Sequence, residues 1–241
     1  MRFLFYNIRY GTGGGESCYP WSGYLRSSAQ NLARIVDFIA DRKPDVAGLV
    51  EVDAGSYRTG HRNQAEVIAE ALGHYHCYRS KYGLRNWTNR IPVLNKQGNA
   101  FLARDSARRE QFHYFEKGIK KLVIQLDLPE MSIFLVHLSL RFRTRHHQLR
   151  DLYGLVRHAE KPFVIAGDFN SLWGNHEMDL FKGAAGLNSA NEHGLPTFPS
   201  WAPKRQLDFI LYSKGLRVTN FAIPRVTLSD HLPLVCDIEP A

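Results

Sequence analysis

No stretch of this sequence offers the roughly 18 uninterrupted apolar residues that a membrane-spanning helix requires. Cysteine is equally scarce. Cys18, Cys77 and Cys236 are odd in number and far apart, with no CxxC pair, which argues against a disulfide framework, a zinc ribbon or a dithiol redox centre. They read as reduced thiols. The first ten residues, MRFLFYNIRY, lack the basic start, long apolar run and small-residue cleavage site of a secretory signal and read instead as a strand. A soluble, cytoplasmic protein is the expectation. Internal repeats and long low-complexity linkers are missing as well, so residues 1–241 are expected to form a single domain around one continuous core.

An apolar fraction of 44% is too high for a disordered chain and sufficient for a sizeable core. Formal net charge is +8, a balance that favours polyanionic partners, nucleic acid or an acidic lipid surface, without separating the two. Apolar residues Leu32, Ile35, Val36 and Ile39 recur at helical spacing within residues 27–42, and Pro44 closes that helix before a buried strand at 46–50. A second amphipathic helix is expected at 63–72 and a polar helix at 144–158. Strands are expected at 98–103, 121–128, 132–138, 163–166, 207–212, 216–223 and 232–238, the second and third forming a hairpin through Pro129 and Glu130. Two sets of strands with helices between them predict a four-layer α/β sandwich, two mixed β-sheets packed face to face with helices outside.

The polar residues carry a pattern of their own. Apolar strands end, and side chains able to hold a metal or a phosphate stand at or beside their last positions: Asn7, Glu51, His137, and Asp168 with Asn170. Asp208 opens another strand, and Asp230 and His231 precede a further one. Function is therefore predicted at one sheet edge. A hard cation such as Mg2+ (Mn2+ being an alternative ion) prefers carboxylate oxygens and keeps some of its waters, which makes Glu51 and Asp230 natural ligands. Hydrolysis of a phosphate ester also needs a carboxylate to activate or orient water, a role that suits Asp168, and donors for the charge on phosphorus, which suits His231, His137, Asn7 and Asn170. A histidine aimed at phosphate works best protonated, and Asp208 is placed to raise the pKa of His231 and fix its ring.

The stretches YNIR (6–9), DVAGLVE (45–51), QGNAFL (97–102), VHLS (136–139), GDFN (167–170), QLDFIL (206–211) and SDHLP (229–233) together resemble the endonuclease/exonuclease/phosphatase superfamily, which includes DNase I, abasic-site endonucleases, inositol polyphosphate phosphatases and neutral sphingomyelinases. They occur in the family's order over nearly the whole chain. The resemblance implies a DNase I-like sandwich and a Mg2+ site at Glu51 with Asn7 and Asp230 close by. It also implies that Asp168 and Asn170 position the nucleophilic water, and that Asp208 and His231 act at the scissile phosphate. His137 matches a second histidine of the DNase and sphingomyelinase branches, which argues against an abasic-site specialist. Arg9, where some branches carry an acidic residue, and Val50, where glutamine is frequent, leave the substrate branch open.

Single residues of this set have plain structural explanations, a turn cap for Asp230 or a core position for His137; seven coincidences in family order do not. Elsewhere two readings stand. Arg141 and Arg145, within RFRTRHHQLR at 141–150, are either a solvated face or an anion-binding wall beside His137. Tyr19, Trp21 and Tyr24 stack on a base, meet lipid or pack in the core; Trp173 and Trp201 shape the rim of the site or pack. The expected activity is Mg2+-dependent hydrolysis of a phosphate ester, with a nucleic-acid phosphodiester favoured. A phospholipid, sphingomyelin-type or inositol phosphate substrate is the alternative, and a non-catalytic nucleic-acid or membrane binding module the reading from another class. The oligomeric state is not legible.

Overall fold

The computed structural model describes residues 1–13, 29–81, 93–104, 109–174 and 176–241. Within them the first sheet contains β1 (Arg2–Asn7), β2 (Val46–Asp53), β3 (Tyr75–Ser80), β4 (Gln97–Ala103), β11 (Leu216–Ala222) and β12 (Leu234–Pro240). The second contains β5 (Arg109–Tyr114), β6 (Leu122–Asp127), β7 (Ser132–His137), β8 (Phe163–Asp168), β9 (Asn188–Ser189) and β10 (Asp208–Tyr212). Their orders are β11-β12-β1-β2-β4-β3 and β5-β6-β7-β8-β10-β9. Each sheet is antiparallel except for one central parallel pair, β1 with β2 and β7 with β8. Helices α1 (Ala29–Arg42) and α2 (Gln64–Leu72) cover the first sheet; α3 (Phe142–Val156) and α4 (His176–Ala185) cover the second. The expected four-layer sandwich is the observed fold.

Strand alternation builds the layers. In β1, Phe3 and Phe5 point between the sheets and join Ile133, Leu135 and Ala166, while Leu4 and Tyr6 point outward beneath Ile35 and Ile39 of α1. In the other half, Phe134, Val136 and Ile165 lie under Leu149 and Leu152 of α3 and Met178 and Phe181 of α4. Two motif glycines mark close approaches. A Cβ on Gly167 would stand 2.2 Å from the Val136 carbonyl oxygen, and one on Gly98 would stand 2.1 Å from that of Arg79, so side chains are excluded where these strands carry site residues.

Some boundaries differ from expectation. The helix expected at 144–158 runs from Phe142 to Val156, because the Arg141 carbonyl already accepts from Arg145 N at 2.9 Å. β3, β5 and α4 were not expected at all. β3 and β5 are sheet edges whose positions are mostly half-buried or exposed, so their apolar alternation is weak. α4 buries only Met178 and Phe181. No helix among the described residues is long and apolar enough to cross a membrane.

Cys77 and Cys236 are free and buried; Cys18 lies outside the described residues. Burial pushes the Cys77 thiol up to about 11 and that of Cys236 further still. Because the thiolate is the reactive species, both cysteines are expected to resist alkylation in the folded protein at pH 8 and to react fully after denaturation, as peptide mass spectrometry reads out.

Candidate active site

The carboxyl ends of the two parallel pairs lie at the same end of the sandwich, and there the space between the sheets turns from apolar to polar. Continuing inward from Phe3 and Phe5, β1 ends on Asn7; β7 ends on His137, β8 on Asp168, and β10 starts with Asp208. Asn7 Nδ2 donates to Asp168 Oδ2 at 3.1 Å across the sheets, and its Oδ1 accepts from Arg9 N at 3.1 Å.

Glu51 reaches this layer through a bulge. Strict alternation along β2, with Val46 and Val50 inward and Ala47 and Leu49 outward, would send Glu51 beneath the helices. The register with β4 instead slips between Leu49 and Val52, and Glu51 takes a left-handed φ of 56°. The extra residue turns the carboxylate towards the second sheet, where Glu51 Oε1 lies 3.8 Å from His137 Nε2 and 3.7 Å from Lys120 Nζ.

His231 and Asp208 form a second cluster. His231 Nδ1 meets Asp208 Oδ2 at 2.8 Å and Oδ1 at 3.1 Å, and Thr197 Oγ1 donates to Asp208 Oδ2 at 2.6 Å. The other ring nitrogen, Nε2, lies 3.8 Å from Asp168 Oδ2. The Phe198 ring packs on the imidazole, with centroids 4.9 Å apart. Burial pulls the His231 pKa down, but the carboxylates of Asp208, Asp168 and Asp230 outweigh it and raise it to about 10. Asp168 moves up from the usual carboxylate range, chiefly through burial and then through Asp208, with His231 and Lys120 opposing. Its Oδ1 accepts from Asn170 N at 2.9 Å, while Asn170, in a left-handed conformation of φ 53°, is anchored through Nδ2 to Leu138 O at 2.9 Å.

His137, expected as a donor to phosphate, shifts in the opposite direction from His231. Burial, reinforced by Lys120, Lys81 and His231, pushes its pKa well below the ordinary value. Lys120 Nζ hydrogen-bonds to His137 Nε2, which a neutral ring accepts. Lys120 Nζ thus stands between His137 and Glu51 at this corner. Lys120 escaped the sequence reading because it lies just before a strand in a run of basic residues with no motif around it. Lys81, whose amine burial pulls down to about 7 and which hydrogen-bonds to the Tyr10 hydroxyl, and Thr197 escaped it for the same want of a local signal.

The two arginine candidates separate. Arg141 is exposed at the start of α3. Arg145 is not an anion-binding side chain: it is fully buried, its Nε and Nη2 bond Glu177 Oε1 at 2.8 and 2.5 Å, and its Nη1 donates to the carbonyls of Ser139 and Leu140, each at 3.0 Å. Its donors are consumed within the fold. Trp173 is 81% exposed and Trp201 half-buried; Tyr19, Trp21 and Tyr24 lie outside the described residues.

The donors suit a hard divalent cation at one place more than another. Asp168, Asp208 and His231 can bring one ligand atom each within 4.8 Å of one another. However, a histidine raised to about 10 is protonated, and Asp208 is already held by it and by Thr197. Glu51 and Asp230 keep side-chain exposures of 18% and 20%, against 2% and 0% for Asp168 and Asp208, and offer oxygens to an ion that retains water. Beside the Glu51 bulge the Asn99 amide is buried with neither end hydrogen-bonded, an orphaned polar group that a bound water or phosphate oxygen would satisfy. Arg9 Nε lies 3.4 Å from Asp230 Oδ2.

A four-layer sandwich with carboxylates, amides and an Asp-held imidazolium converging at one end defines a phosphoesterase of the DNase I-like class. The model of the Endonuclease/Exonuclease/phosphatase family matches residues 4–231, and the chain belongs to that family, whose members are typically metal-dependent. The catalytic domain of human nocturnin, solved with a bound sulfate, superposes with a TM-score of 0.70 at 23% identity, covering 100% of this chain and 94% of that one. D. rerio TDP2 humanized by 14 mutations gives 0.71 at 17% identity, covering 99% and 98%. A mannosyl-6-phosphatase of Bacteroides thetaiotaomicron VPI-5482 gives 0.72 at 14% identity, covering 99% of each chain.

Proposed function

We propose that this chain is a Mg2+-dependent phosphodiesterase that hydrolyses nucleic acid by in-line attack of water. The observation that carries the reading is the pairing of an imidazolium, His231 held by Asp208, with a buried carboxylate of raised pKa, Asp168, 3.8 Å from it. Proton acceptor and charge donor thus face one small volume. Asp168 takes the proton of the attacking water, a task favoured by a carboxylate whose pKa is shifted towards neutrality; Asn170 and Asn7 hold it in place. His231 donates from Nε2 to a phosphate oxygen as charge builds there, and Lys120, held by neutral His137, supplies a second positive charge. Glu51 and Asp230, with Asn7 beside them, would hold the metal, which neutralises phosphate and leaving-group charge when bound. Arg141 is the exposed cation placed to meet a phosphate beyond the scissile one. Residues 1–241 act as one domain in the cytoplasm.

The net charge of +8 favours nucleic acid, and its signature is a binding constant that falls steeply with salt, with a log–log slope of about 0.9 per phosphate contacted on duplex DNA. Incubation with supercoiled DNA, RNA, phospholipid and inositol phosphates is expected to give cleavage of nucleic acid alone, lost in EDTA and restored by Mg2+ or Mn2+. Selective, metal-dependent release of a lipid headgroup or of inorganic phosphate would move the substrate to another branch of the family. Binding without any product would leave a recognition module. Lys120→Met is expected to lower kcat by about 10- to 100-fold, since a single electrostatic donor is removed; an unchanged kcat would take Lys120 out of the site.

A further inference from the structure

We infer that the exposed Trp173 is a stacking platform that binds an unpaired base next to the scissile phosphate, with Phe142, Arg141 and Arg143 on the segment tied to its own, so that the substrate is single-stranded; this rests on the nucleic-acid reading above. Trp173 is 81%, Leu140 53% and Phe142 54% exposed, and large apolar side chains left in water on adjoining segments suit a binding surface. Two cross-links join the segments that carry them. Asn170 Nδ2 donates to Leu138 O at 2.9 Å, and Arg145 bonds Glu177 Oε1 at 2.5 Å, which joins the two chain segments at two points. Trp173 lies between the anchor points on one segment, Leu140 and Phe142 between those on the other. The Arg145 guanidinium also lies 5.9 Å from the Phe142 ring centroid and holds the Leu140 carbonyl.

The platform adjoins the chemistry. Trp173 is three residues, at most about 10 Å of chain, beyond Asn170, in a turn pinned by Leu172 N to Asn170 O at 2.8 Å and by the Ser171 hydroxyl to Gln206 O at 3.0 Å. Charge selects the occupant. Arg141, Arg143 and His146 are exposed around Phe142, whose ring stacks on His146. Aromatic faces set among arginines suit a strand that alternates bases with phosphates. A paired base hides its faces in the helical stack and cannot use them.

The test is fluorescence anisotropy of a labelled oligothymidylate and of an abasic strand with the same phosphates, bound in EDTA to wild type, Trp173→Ala and Trp173→Phe. Wild type is expected to favour the base-bearing strand by about five- to a hundred-fold. Trp173→Ala should close that gap and Trp173→Phe keep most of it, with all three proteins showing the same melting temperature. A gap that survives Trp173→Ala, or its absence in wild type, overturns the platform while binding of both strands leaves the nucleic-acid reading standing. Binding of neither strand removes both. Tryptophan emission that shifts to the blue on phosphatidylserine vesicles, and not in Trp173→Phe, assigns the patch to lipid and overturns the inference.

Discussion

Asp168→Asn is expected to lower kcat by about 10²- to 10⁴-fold with little change in stability, the scale of a lost general base. The substitution keeps shape and removes charge. Asn7 Nδ2 and Asn170 N both donate to the Asp168 carboxylate, and an amide oxygen can accept one of these bonds, so the fold at the end of β8 persists. What disappears is the basicity that burial confers and the charge facing His231 Nε2. His231→Ala should cost a comparable factor through a different route, by removing the donor and leaving Asp208 held by Thr197 alone among these partners. Steady-state kinetics on the phosphate ester that the wild type cleaves, with a denaturation curve for each variant, separates chemistry from folding. Retention of wild-type kcat in both variants would remove the assignment of these groups to the reaction.

Arg145→Ala is expected to destabilise the protein by about 3–5 kcal/mol, the cost of leaving one partner of a buried ion pair uncompensated. Glu177 would lose its partner, its second oxygen already being buried without a hydrogen bond, and the Ser139 and Leu140 carbonyls would lose their donor. Urea unfolding reads this as a lower midpoint. Had Arg145 been the anion grip that its neighbours in sequence suggest, its removal would raise KM and leave stability alone, so one variant distinguishes the two accounts. Arg141→Ala should do the reverse, weakening substrate binding without moving the midpoint.

Much of this site was legible because its residues fall where apolar strands end. Asn7, His137 and Asp168 stand at the ends of β1, β7 and β8, and the periodicity that buries Phe3, Phe5, Leu135 and Ala166 carries inward to the polar residue that follows. Glu51 is expected just past the end of a strand; it lies inside β2, and only the bulge against β4 brings it between the sheets. Arg145 and Arg141 are indistinguishable in a run of arginines. Their separation depends on α3 starting at Phe142, which turns Arg145 towards α4 and leaves Arg141 at the surface.

By itself the sequence determined the class: strand periodicity and ordered motifs specify two sheets, their helical covers and a set of phosphate-ester chemistry at one edge, because these are local patterns repeated along the chain. The tertiary structure alone decided the charges and the partners. The two histidines shift in opposite directions although both are buried, because His231 meets Asp208 and His137 meets Lys120, residues 23 and 17 apart in the sequence that folding brings together. Ionisation depends on burial and on neighbours brought close by folding, and a one-dimensional chain records neither.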